Sequence, residues 1–242
     1  MNKPPMIANG LHSKARLAGT AFLLLVPCLV FAAGSDKPSY SPITGTGTDI
    51  LAAKNLVIQT AQEEMHAHSD DLRAVMQAFY RHNPGELRKS TSVSAEEMVQ
   101  WVFEGPFGWK FESIRRVRKT DALNLCLSPE FQGDRVLALI TGLQTMLISA
   151  YGGETEFHFP HPINPQYLYL AARNIEITLR KLKHPGREQD GLDLAGDGTD
   201  PGIETTLTAL ARRVDLHAMH FASQAGTPLR HADADTASFV GF

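Results

Sequence analysis

The segment Val136–Tyr151 sets the strongest limit on the fold of this chain, because it is apolar around nearly its whole circumference. A helix without a polar face must be covered by other elements on most sides. Thr141, Gln144, Thr145 and Ser149 dilute the run, and a membrane span needs roughly 20 predominantly apolar residues. The sequence therefore predicts a central, buried helix that ends at Gly152-Gly153.

The segments on either side show helical spacing of apolar residues and recognisable helix ends. Two helices are predicted before and after Ser69, followed by a third behind a Ser94/Glu97 capping box. Asn164-Pro165 begins another helix, and a last one follows Asp200-Pro201. Together these patterns predict a mainly α fold, a single helical domain of about six helices.

A small antiparallel β element is the one departure that the sequence suggests. Leu123, Leu125 and Leu127 alternate with other residues, and this period of two is typical of a strand. Residues 154–159 also alternate. We therefore expect a β element near residues 109–128 and 154–159, with a hairpin turn at residues 119–121, while a helix through the leucines remains the alternative.

The N-terminus resembles a secretory signal. Lys3, Lys14 and Arg16 precede an apolar run, Leu17–Ala33, and small residues favour cleavage after Ala32. This predicts a signal peptide at 1–32, a flexible leader at 33–48, a helical domain at 49–226 and a C-terminal tail at 227–242. A periplasmic or secreted location follows.

Two alternatives would keep the N-terminus at the membrane. The apolar run could remain as an uncleaved anchor, or Cys28 could carry a lipid. Either would give membrane contact. If cleavage occurs, Cys126 is the one remaining cysteine, so no internal disulfide can form, and it is expected to be a small buried residue.

Charge excludes one class of partner. The formal net charge is −3, and removal of residues 1–32 makes it more negative still. A weakly acidic chain is a poor candidate for nucleic-acid binding, so we expect a protein or an envelope component as partner.

One part of the chain resembles a known group. The stretches 133–136, 152–157 and 171–177 are similar to a run found in uncharacterised exported proteins of Gram-negative bacteria. The likeness extends over about residues 133–177. It implies export and assigns no activity.

The densest group of candidate ligands lies in the sequence YGGETEFHFPHPINP, residues 151–165. If the stretch is extended, Glu154, Glu156 and His158 share one face and could ligate a divalent metal ion or supply an acid and a base. His161 lies between two prolines nearby. The simpler interpretation is a half-buried strand with its charges in water.

Two further candidates carry weaker signals. Asp193, Asp197 and Glu204 partly match a calcium loop at positions 1, 5 and 12, but a flexible loop is the simpler interpretation. A basic run could bind an anionic partner or form a solvated face; its members are Arg115, Arg116, Arg118 and Lys119.

Several polar residues stand out on the predicted helices. His217 and His220 are three residues apart on the last helix, where His217 is expected to be a hydrogen-bonded core histidine. His66 and His68 are expected to flank a helix end. Arg173, Asn174 and Glu176 could form a buried polar network.

No HExxH, GxSxG, P-loop or GxGxxG motif occurs after residue 32. The sequence therefore favours a non-enzymatic, exported interaction or envelope-associated module. The alternatives are a metal-binding protein or metal-dependent enzyme that uses Glu154, Glu156 and His158, and a small-ligand binder with a pocket between its helices.

Overall fold

The computed structural model describes residues 47–183, 192, 202–231 and 238–242. The predicted signal peptide and most of the leader lie outside these ranges, as do Cys28, Asp193 and Asp197. The described residues all belong to one unit, Gly45–Phe242. None of their helices is both long and apolar enough to cross a membrane.

The described part of the chain is helical, which confirms the predicted fold class. Its seven α-helices are α1 (Gly47–His82), α2 (Pro84–Ser90), α3 (Ala95–Glu104), α4 (Lys119–Leu127), α5 (Arg135–Ala150), α6 (Pro165–Lys183) and α7 (Ile203–Ala225). A short 3₁₀ turn, Glu112–Ile114, precedes α4.

Helix α5 is the centre of the fold, as its uniform apolarity predicts. Every residue of α5 except Ser149 is buried. Helices α1, α4 and α6 pack around it, and α7 packs along α6 and against α1. A helix covered on all sides gains hydrophobic burial along its full length, so α5 organises the core.

Two polar residues fix the N-terminus of α5. The Asp134 carboxylate caps the helix by accepting from the Leu137 N–H at 2.9 Å, and it also accepts from the hydroxyls of Tyr80 (2.7 Å) and Ser90 (2.8 Å). Arg135 Nη1 donates to the carbonyl oxygens of Cys126 (2.6 Å) and Ser128 (2.7 Å) at the end of α4. These contacts tie α1, α2 and α4 to the central helix.

Helix α1 is continuous, so the predicted break at Ser69 is wrong. The Ser69 hydroxyl donates to the Met65 carbonyl oxygen one turn back, at 2.8 Å. A serine bonded in this way stays within a helix instead of capping a new one. As a consequence, His66 and His68 lie within the helix and do not flank its end.

The predicted β element is also wrong. Residues 119–127 form α4, in which Ala122, Leu123 and Cys126 are buried, at helical spacing. The alternating leucines therefore do not mark a strand. Cys126 is buried as predicted, and burial raises the pKa of its thiol to about 12.

At residues 154–159 the chain turns back on itself instead of extending. A single bridge joins Thr155 to His158. The Glu154 N–H donates to the carbonyl oxygen of His158 at 2.9 Å, which closes the turn. The described residues contain no β-strand.

The last described segment, residues 238–242, docks on the helical body. Asn174 forms two hydrogen bonds with the Val240 backbone, donating to its oxygen at 2.8 Å and accepting from its N–H at 2.9 Å. Lys119 Nζ donates to the Phe242 carbonyl oxygen at 2.6 Å, and Tyr167 stacks on the Phe242 ring with centroids 5.1 Å apart. The Asn174 carboxamide thus serves as a backbone partner for the segment.

Candidate functional site

In the predicted metal site of the α5–α6 connection, Glu154 and His158 lie together, whereas Glu156 has a different partner. Glu154 lies 3.4 Å from His158 Nδ1 and 3.7 Å from His161 Nε2, and all three side chains are exposed. Glu156 instead accepts a hydrogen bond from Trp109 Nε1 at 3.2 Å. Glu156 points elsewhere because the chain turns between Thr155 and His158. An extended strand would have placed Glu154, Glu156 and His158 on one face, and the turn removes that face.

The calcium-loop and basic-run candidates are dispersed, apart from Arg118 and Lys119, which line one cavity with Glu154 and Glu156. Glu204 is exposed and pairs with Lys183, while the other two calcium-loop candidates lie outside the described residues. Within the basic run, Arg116 pairs with Glu112, and Lys119 is held by Ser149 and Phe242.

Trp109 and Glu156 form a partition between two cavities. The first, which we call the Trp109 cavity, has a volume of about 200 Å³. Its lining residues are Gln62, Met65, His66, Ser69, Arg73, Phe103, Trp109, Gln144, Glu156 and Phe157. The second, of about 290 Å³, lies between Arg118, Lys119, Glu154 and Glu156. The α5–α6 connection therefore contributes to both cavities.

The Trp109 backbone is in the left-handed region, with φ of 60°. This conformation costs a non-glycine residue about 1–2 kcal/mol. The indole is 5% exposed and meets the Phe103 ring edge-on, with centroids 5.2 Å apart. Burial of the ring and its bond to Glu156 offset the backbone strain, and they fix the indole as a wall of the cavity.

Gln144, which lines the Trp109 cavity, has a side-chain acceptor without a partner. The Ser69 hydroxyl donates its proton to Met65, so it can only accept from Gln144, and the 2.7 Å contact is therefore made by Nε2. This fixes the amide orientation and leaves Oε1 buried, with no donor among the described residues. A buried carbonyl oxygen without a donor costs about 1–3 kcal/mol.

A second polar group lies between α1, α7 and the end of α5. The Tyr151 hydroxyl is 2.9 Å from His68 Nε2 and 2.6 Å from His217 Nδ1. His217 Nε2 is 3.5 Å from Glu64. These four residues, which we call the histidine–tyrosine cluster, form one continuous chain of contacts.

The environment of the cluster favours neutral imidazoles. Burial, together with the nearby charges of Arg213 and His217, lowers the pKa of His68 to about 3. Burial is also the main cause of the lowered pKa of His217, against an opposing effect of Glu64. Arg213 forms an ion pair with Asp71 at 2.7 Å, so its charge is locally balanced.

Sequence reasoning anticipated the hydrogen bonding of His217 but missed the rest of the cluster. Glu64 and His68 are four residues apart, a spacing that places both on one face of a helix. The signal was hidden because the helix was expected to end near Ser69. Tyr151 carries no local signal, since its role depends on the packing of α5 against α1 and α7.

Comparison with known proteins gives no relative for this chain. No family model matches it, and neither does any curated protein or solved structure.

Proposed function

We propose that this chain is a non-enzymatic binding protein that takes a small organic cation in the Trp109 cavity. One observation carries the proposal: the cavity combines aromatic walls with a carboxylate that has no lysine or arginine partner among the described residues, and with a glutamine whose carbonyl oxygen has no donor there. Glu156 supplies the negative charge, and Gln144, whose buried carbonyl oxygen has no donor among the described residues, also lines the cavity.

The charge of Glu156 is available to a ligand. Its partner is the neutral indole of Trp109, and no lysine or arginine among the described residues forms an ion pair with it. Arg73 also lines the cavity, but it pairs with Glu104 at 2.9 Å and lies over the Phe103 ring. An ammonium group beside Glu156 would form a charge-assisted hydrogen bond.

The walls and the size define the rest of the ligand. Phe103, Trp109 and Phe157 line the cavity, and aromatic rings attract cations and cover apolar groups. A volume of about 200 Å³ is below the roughly 300 Å³ at which typical ligand pockets begin. The ligand class is therefore a small ammonium compound with an apolar part, and the predicted export would place the encounter in the periplasm.

Tryptophan fluorescence provides a direct test. The chain has two tryptophans, so Trp101→Phe leaves Trp109 as the sole reporter. We expect a saturable change in emission when benzylammonium or tetramethylammonium is added, and a weaker response to neutral benzyl alcohol. In the same background, Glu156→Gln should raise the dissociation constant by about tenfold or more, because it removes the charge.

Glu154→Gln is the matched control, since Glu154 belongs to the same turn but does not line the Trp109 cavity. The affinity of the Glu154→Gln variant for the same ammonium compounds should stay close to that of the Trp101→Phe protein. The proposal fails if folded protein shows no saturable response to either cation, or if Glu156→Gln leaves the affinity unchanged.

A further inference from the structure

The histidine–tyrosine cluster brings several potential metal ligands together, and its hydrogen bonds leave one of their atoms without a partner. One ligand atom from each of Glu64, His68 and His217 lies within 4.8 Å of the other two. His68 Nε2 and His217 Nδ1 both approach a single point, the Tyr151 oxygen. The cluster lies on a different face of α1 from the Trp109 cavity, so ligand binding at the cluster does not depend on the proposed function of that cavity.

We propose that Glu64, His68 and His217 bind a divalent transition-metal ion, with Zn²⁺ as the best match. Two imidazoles and one carboxylate are a ligand set that Zn²⁺ commonly takes in proteins, with a fourth position left for another group. Tyr151 Oη is already within 3 Å of both imidazoles and is the nearest candidate for that position. Ca²⁺ and Mg²⁺ prefer oxygen ligands and fit this set poorly.

Counting protons shows that the cluster lacks one partner. Tyr151 has a single hydroxyl proton, so it donates to one imidazole and accepts from the other. Donation to His217 Nδ1 is the consistent direction, because it leaves the His217 Nε2–H facing the Glu64 carboxylate. His68 must then donate from Nε2, and its Nδ1 lone pair is buried with no partner among the described residues.

The charges are compatible with a divalent ion. Glu64 contributes one negative charge, and the adjacent Arg213 is paired with Asp71. His220, the remaining titratable neighbour of His217, is exposed on α7.

The elements that hold the ligands are rigid. Glu64 and His68 occupy successive turns of α1, and His217 lies within α7, a helix of 23 residues. His68 is fully buried and Tyr151 is the capping residue of the central helix. Ligands on packed helices are pre-positioned, so binding needs little reorganisation of the backbone.

The test is Zn²⁺ titration of the untagged, chelator-treated chain by calorimetry, with thermal unfolding as a second readout. We expect one Zn²⁺ per chain and a higher midpoint of unfolding in Zn²⁺, because a ligand of the folded state stabilises it. Ca²⁺ and Mg²⁺ should not shift the midpoint. Glu64→Gln and His217→Gln should each weaken Zn²⁺ binding by about tenfold or more.

Two variants serve as matched controls. Glu63→Gln changes the exposed neighbour of Glu64, and Glu154→Gln removes the carboxylate of the exposed Glu154–His158–His161 group; both should keep Zn²⁺ affinity. Circular dichroism establishes that each variant is folded. The inference is overturned if the folded wild-type chain does not bind Zn²⁺, or if Glu154→Gln abolishes binding while Glu64→Gln does not.

Discussion

Replacing Asp134 by alanine is expected to lower the free energy of unfolding by about 3–5 kcal/mol, more than any other single truncation of a helix cap in the described chain. The carboxylate is 1% exposed and accepts three hydrogen bonds, from the Leu137 N–H and from the hydroxyls of Tyr80 and Ser90. Alanine would remove the α5 cap and leave the Tyr80 hydroxyl, 1% exposed, without its acceptor.

Ser94→Ala is the control for this experiment. Ser94 also caps a helix, in a capping box with Glu97, but at the surface, where water replaces the lost bonds. Its loss should cost about 1 kcal/mol. Chemical denaturation of both variants gives the comparison, and equal losses at the two caps would show that burial of the Asp134 network adds no stability.

Replacing Gly152 by alanine should lower the free energy of unfolding by about 2–5 kcal/mol. Gly152 follows the cap of α5 with φ of 78°, a left-handed conformation that favours glycine. An added Cβ would also stand in hard contact with the His161 carbonyl oxygen, and 3.1 Å from that of Pro162. Both obstacles are backbone atoms of the α5–α6 connection, so they cannot rotate away.

Gly226 separates the two causes of that loss. It follows α7 with φ of 60°, but a Cβ there would meet nothing within 4 Å. Gly226→Ala should therefore show the cost of the left-handed backbone alone, about 1–2 kcal/mol. The decrease in the free energy of unfolding, measured from denaturation curves, should be larger for Gly152→Ala by the cost of the steric clash. An equal decrease for Gly226→Ala would contradict that clash.

The parts of the fold that were predictable from sequence are those set by local chemistry. The Ser94 capping box forms as predicted, Gly152-Gly153 ends α5, and Asn164-Pro165 begins α6. Each of these signals depends on residues within a few positions of one another. The strand predicted from the leucines of α4 was wrong because a period of two can arise by chance in nine residues. Packing against α5 makes this segment a helix.

The candidate sites were less predictable because their residues meet only after packing. His68 and Tyr151 are 83 residues apart, and Tyr151 and His217 are 66 apart. Glu156 was singled out by its neighbours in sequence, yet its partner is Trp109, 47 residues earlier. The local density of glutamate and histidine identified the connection that lines the cavities. The histidine–tyrosine cluster could not be identified in this way, because its residues meet only when α1, α5 and α7 pack together.

The docked segment 238–242 has a consequence for the order of folding. The hydrogen bond from Lys119 to Phe242 closes a loop of 123 residues, whereas the pairs α4–α5 and α6–α7 join helices that are neighbours along the chain. Contacts between neighbours form early, and long-range closures come later because they restrict more of the chain. We therefore expect the segment to dock late in folding. Its removal should accelerate unfolding in stopped-flow measurements and leave the refolding rate nearly unchanged.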